Sequence, residues 1–160
     1  NEIAKGSGVE FVSPNGEFNP EETGNTFEEN SLIKSRAAAK LNGMISMADD
    51  SGLCIEALNG APGLYSARYA GTQQEKIDRV LSELDGVENR KAKFVTKGES
   101  HGHIVKSQKG VNGFGYDLIF MPNSSDITIA EMSEQDKNAI SHRGRALRAM
   151  LEYIKENFDL

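Results

Sequence analysis

Short apolar runs bounded by glycine alternate along this chain with longer amphipathic stretches that open on threonine or serine. Val9-Glu10-Phe11-Val12-Ser13 has the period of two of a strand, and Met44-Ile45-Ser46-Met47-Ala48, between Gly43 and Gly52, reads as a buried strand. Thr26-x-x-Glu29 is a capping box, which predicts a helix over about 27–41 that stops at Asn42-Gly43. Asn30, Lys34, Ala37 and Leu41 fall on one stripe of it. Thr72-x-x-Glu75 opens a second helix with Ile77, Val80, Leu81 and Leu84 inward and Gly86 at its end. Residues 53–58 alternate as a strand and meet the turn signal Asn59-Gly60; 92–96, 103–105 and 118–121 supply further strands. Ser141 is a good N-cap for a closing helix whose buried stripe is Leu147, Met150, Leu151, Ile154 and Phe158. Residues 14–25 form a polar, acidic loop. No repeat or linker interrupts the pattern, so 1–160 reads as one domain.

The apolar run at 44–48 ends in Asp49-Asp50-Ser51-Gly52. Two adjacent carboxylates at the end of a buried strand carry a desolvation and repulsion cost that a divalent cation, or a base role, relieves. The plainer reading is a solvated strand-end turn. Gly110-Val111-Asn112-Gly113-Phe114-Gly115-Tyr116-Asp117 is a second constellation. Its glycines let backbone approach a ligand, and an exposed Phe offers a stacking face for a planar base. It lacks the strand-to-helix context of a dinucleotide fingerprint, and a hairpin with core aromatics explains it as well. The third constellation runs from Glu134 to Arg145 and sets His142 and Arg143 in the first turn of the closing helix. Cations are disfavoured there by the helix dipole, so Arg143 suggests a held ligand, against a solvated helix start. Lys34, on a partly buried stripe, is a snorkelling lysine or a phosphate ligand.

Charge and cysteine content narrow the class. A net charge of −6 argues against a nucleic-acid backbone or an anionic membrane as partner, though local cations can still hold an anionic substrate. The single Cys54 excludes an internal disulfide and places the chain most simply in the cytoplasm; no run approaches a membrane span. His101 and His103 share a strand face without a third ligand, and both they and Cys54 read as ordinary surface or core residues.

In this order, Thr26-Phe27-Glu28-Glu29-Asn30 with Lys34, the stretches at 48–53, 61–71 and 112–120, and Lys137 to Leu147 resemble the inosine triphosphate pyrophosphatase family. The resemblance implies an α/β fold: an elongated central mixed sheet flanked by helices, with two lobes and a nucleotide cleft between them. It implies Mg²⁺-dependent hydrolysis, with Mn²⁺ as alternative metal, of ITP, dITP and XTP to monophosphate and pyrophosphate by a homodimer. Residue by residue, Asp50 matches the catalytic acid and a metal ligand, and Glu22 the second metal ligand, with Glu21 its competitor. Lys34 matches a phosphate-binding lysine and Ser51 a substrate contact. Phe114, Gly115, Tyr116 and Asp117 match the base-binding loop; Lys137, His142 and Arg143 match the contacts that read the purine.

Two departures qualify this. Family members open with a polar loop, roughly T-x-N-x-x-K, that cradles the triphosphate, whereas this sequence starts at Asn1-Glu2-Ile3, resembling the helix that follows. The hairpin between Thr96 and Lys97 is contracted. Either the chain is shortened in several places or the sequence omits segments that the protein has. A true deletion would leave a nucleotide-binding module with little or no turnover. A structural adaptor that only reuses the fold leaves the three constellations unexplained.

The residue types set the chemistry. Carboxylates without thiolate or imidazole partners suit Mg²⁺ or Mn²⁺, and Asp49 and Asp50 are both candidates for the group that takes a proton from water. Lysine and arginine only donate hydrogen bonds. A 6-oxo purine accepts them, while adenine presents its 6-amino donor and leaves buried donors facing donors, at about 1–3 kcal/mol for each.

Overall fold

In the computed structural model, which describes residues 2–96 and 98–157, four strands build one sheet in chain order. β1 (Gly52–Ile55), β2 (Lys91–Val95), β3 (Glu99–Ile104) and β4 (Phe120–Pro122) pair antiparallel at every step. Strand alternation sends Leu53, Ile55, Ala92, Phe94 and Ile104 into one core with Ile119 and Phe120. The same core takes Ile77, Val80 and Leu84 from α2 (Gln73–Glu83) and its C-cap. On the opposite face, Cys54, Lys93 and His101 lie in register across three strands.

Local capping sets the helices. The Thr26 hydroxyl accepts from the Glu29 amide at 3.1 Å and opens α1 (Phe27–Asn42), which ends on Gly43 in the left-handed region at φ 65°. Thr72 and Glu75 complete a reciprocal capping box at α2. A short α3 (Glu134–Ile140), capped by Ser133, precedes α4 (His142–Asn157) and was not anticipated. The Ser141 hydroxyl accepts from the Gly144 amide at 3.1 Å, as expected of an N-cap. A Cβ on Gly144 would strike the Asn138 carbonyl, so glycine lets α3 and α4 close on each other. Phe158, expected on the α4 stripe, lies outside the described residues.

The α/β expectation holds as a four-stranded sheet flanked by helices, but the described strands contain no parallel pair, so the expected mixed sheet is not found among them. Two expected strands are also corrected. Residues 9–13 and 44–48 belong to no ladder, and Ile45 is 81% exposed. The outer edge of β1 is occupied instead by the turn after it: the Ile55 amide donates to the Ala61 carbonyl at 3.1 Å, and Cys54 bridges to Pro62. With that edge of β1 taken, neither apolar run joins the sheet, and period alone does not make a strand. The strand expected over 53–58 likewise ends at Ile55 and continues as a 3₁₀ turn, Glu56–Leu58.

Candidate active site

Asp50 closes a segment without regular structure, not a buried strand, and the two adjacent acids take different partners, Asp50 from α1 and Asp49 from α4. Lys34, carried by α1, places Nζ 2.8 Å from Asp50 Oδ1 and 3.1 Å from Glu22 Oε1. Its ammonium therefore stands between two carboxylates from separate segments. Partial burial works against that charge, yet hydrogen bonds to Asp50 and Glu22 outweigh it and hold Lys34 above the ordinary lysine range. Asn30, one turn earlier on the helix and fully buried, donates to Asp50 Oδ2 at 3.3 Å and accepts from the Gly24 amide at 2.8 Å, which draws the acidic loop inward. Arg68 Nη1 lies 3.6 Å from the other oxygen of Glu22. Glu21 is exposed and outside this cluster. Among the described residues no three His, Cys, Asp or Glu side chains converge, so any hard cation here would rest on two carboxylates and outside oxygens.

Ser51 leads from this cluster into a cavity of about 870 Å³, whose walls include Phe114, Gly115, Asp117, His142 and Arg143. That volume is in the range of small-molecule sites. The glycine-rich loop divides its two aromatics. Tyr116 is a core residue whose hydroxyl donates to the Ser66 carbonyl at 3.1 Å, and burial pushes its phenol far up. Phe114 is 55% exposed and turns its ring outward. Asp117 is buried beneath the loop, accepting from the Phe114 amide at 2.8 Å and from Lys137 Nζ at 2.6 Å. A Cβ on Gly113, which has φ +81°, would overlap the Asp117 carboxylate. Asp117 thus staples the loop and anchors Lys137, whose ammonium lies 4.4 Å from the centroid of the Phe114 ring. Arg143 approaches the same ring at 5.2 Å.

His142 is 91% buried by its 9% exposure, and its ring lies flat on Phe94, 4.8 Å between centroids at 14°. Nδ1 has no hydrogen-bond partner. Burial, and then the charge of Arg143, depress its pKa to about 4; Asp49 opposes this and Lys137 adds to it. The imidazole is therefore neutral at ordinary pH and can both donate and accept. Phe94 and Asn30 support the site in ways the sequence does not announce: Asn30 shares the Lys34 stripe without a role of its own there. The alternation Ala92, Phe94 marked a core position, but not the ring beneath it. Arg143 also acquires the local benefit that the sequence did not offer: Nε and Nη2 sit 2.9 and 2.8 Å from Asp49 Oδ2.

Known proteins are similar to this chain in sequence and in fold. The model of the Ham1 family matches residues 1–153. A dITP/XTP pyrophosphatase of Bacillus anthracis is 46% identical over 159 residues, covering 86% of this chain and 79% of the relative. One of Coxiella burnetii is 42% identical over 181 residues, covering 98% and 90%. Among solved structures, the Staphylococcus aureus Ham1 protein superposes with a TM-score of 0.81 at 41% identity, covering 88% of this chain and 82% of that one. A HAM1 protein from Coxiella burnetii gives 0.77 at 44% identity, covering 85% and 80%. The motifs, the fold and all three comparisons converge, and the chain belongs to the Ham1 family.

Proposed function

We propose that this chain hydrolyses dITP, ITP and XTP to the monophosphate and pyrophosphate with Mg²⁺ bound. The observation that carries the proposal is the meeting of two unlike half-sites at Asp49-Asp50-Ser51. On one side a cationic group sits between Glu22 and Asp50; on the other an exposed aromatic ring carries hydrogen-bond donors. The names of the relatives, dITP/XTP pyrophosphatase, support the same reading.

Glu22 and Asp50 fit a Mg²⁺ or Mn²⁺ ion. They offer hard oxygen donors, and the lysine ammonium between them stands in for such a charge. The bound ion would neutralise phosphate charge and draw the triphosphate oxygens into place. Asp50 orients the attacking water in line with the α-phosphorus and takes up its proton. Lys34, released from the carboxylates, turns its ammonium to the phosphate oxygens, and Ser51 contacts the same chain. Phe114 stacks on the purine. Lys137, held by Asp117, and Arg143, held by Asp49, lie over that ring, and with His142 they meet the 6-oxo edge and reject the 6-amino group. Gly115 supplies the left-handed backbone of the loop at φ 61°, and Asp117 and Tyr116 hold it from below.

An isologous homodimer in the cytoplasm completes the reading. Among the described residues no helix is long and apolar enough to cross a membrane. A specific dimer should bury well over about 1,000 Å², and sedimentation at micromolar concentration tests it.

The functional test is product identity. With dITP and Mg²⁺, phosphorus NMR should show equimolar dIMP and pyrophosphate, and chelation of the metal should stop both. Orthophosphate as the product would refute attack at the α-phosphorus. Binding of dITP without any product would identify a nucleotide-binding module.

A further inference from the structure

Asp49 is a carboxylate beside the proposed catalytic acid, yet its partner belongs to the other end of the site. Arg143 lies 94 residues away and meets it through two N–H groups on one oxygen, Nε at 2.9 Å and Nη2 at 2.8 Å. This pair uses one edge of the guanidinium and leaves the Nη1 N–H groups for a ligand. The same guanidinium lies over Phe114 and borders the cavity. Arg143 also lies in the first turn of α4, where the helix dipole disfavours a cation. Asp49 offsets that cost and fixes a side chain that would otherwise spread over many rotamers.

We propose that Asp49 is a positioning residue: it holds Arg143 on the Phe114 ring so that the guanidinium meets the 6-oxo edge of the purine, and it takes no part in activating water. The inference rests on the proposed base-reading role of Arg143. It divides two adjacent acids by task, Asp50 toward the phosphates and Asp49 toward the base. Asp49 and Arg143 are each close to half exposed, so the pair contributes through geometry more than through charge energy.

Asp49→Asn keeps the shape and removes the charge. The kcat/KM for dITP should fall about tenfold, carried by KM, while kcat moves less than about threefold and dATP changes little. The Mg²⁺ concentration for half activation should stay where it is. Arg143→Lys should narrow the dITP:dATP preference in the same way, and combining the two changes should add little, since both remove one interaction. A fall in kcat beyond about a hundredfold at unchanged KM would place Asp49 on the reacting atoms and overturn the proposal. Equal losses for dITP and dATP, or fully additive losses in the double variant, would reduce the pair to a fold contact and overturn it too. If the wild-type chain turned nothing over, the hydrolase reading would fail by itself. Equilibrium binding of dITP and dATP would still decide the role of Asp49: a preference lost in Asp49→Asn supports it, and a preference retained overturns it.

Discussion

The two ends of the site are held in contrasting ways. The end proposed to take the purine is set against packed core. Tyr116, Ile119 and Thr128 are buried around it, Asp117 staples the loop from within, and the Val111 and Asn112 amides both donate to the Ala130 carbonyl. The acidic end stands on irregular chain. Glu22 sits in a loop without regular structure, and Asp50 follows a segment in which Ile45 is 81% exposed. Its carboxylates are fixed by side chains, chiefly Lys34 and Asn30. Discrimination between a 6-oxo and a 6-amino group needs donors fixed before the ligand arrives. Triphosphate and metal binding instead exchanges one set of ion contacts for another, and elements of low local stability suit that exchange.

The largest expected effect tests the acidic end. Asp50→Asn should lower kcat by more than about a hundredfold, near 2.7 kcal/mol, with the unfolding midpoint little changed. Retention of more than about a tenth of the wild-type rate in steady-state assays would contradict the assigned role. The purine end yields the next effect, in stability. His142 has a folded pKa of about 4 against an ordinary 6.5, so the unfolded chain takes up the proton first as pH falls. The stability it confers is therefore full above pH 6.5 and is lost on the way down to about pH 4, by on the order of 2–3 kcal/mol. Thermal unfolding at about pH 7.5 and about pH 4.5 should show a smaller pH loss in His142→Gln than in wild type; equal losses would contradict the buried neutral state.

Arg143→Ala comes third. The kcat/KM for dITP should drop by roughly 1–3 kcal/mol and that for dATP much less, so the preference collapses. Phe114→Ala should cost both nucleotides alike, about 1 kcal/mol, because stacking tolerates any base and this ring is half exposed. A preference that changes in the Phe114 variant would merge the two roles.

Much of this was legible because the signals are local. The Thr-x-x-Glu patterns at Thr26 and Thr72 announced two helices, since a cap is settled within four residues, although only Thr72 completes the reciprocal box and Glu29 accepts from the Asn25 amide instead. The acid pair, the glycine loop and the cationic helix start come together around one cavity as a candidate site, and their order marked the family. What escaped depends on distant partners. The run at 44–48 carries a strand pattern, but its place in a ladder depended on the edge of β1, which the turn at Ala61-Pro62 had taken. Phe114 and Tyr116 look alike in sequence, and only the Ser66 carbonyl beneath Tyr116 separates platform from core. The Asp49–Arg143 pair and the Phe94 ring under His142 join chain far apart, and no spacing announces them. Ser133-x-x-Asp136 is the local sign of α3, its hydroxyl accepting from the Asp136 amide at 3.1 Å.

The division between the two ends is tested most directly by the nucleotide preference of an enzyme that cannot react. Equilibrium binding of dITP and dATP to Asp50→Asn should show the wild-type preference for dITP intact while turnover is gone. Loss of that preference on removing a charge from the acidic end would contradict the separation of base reading from phosphate chemistry.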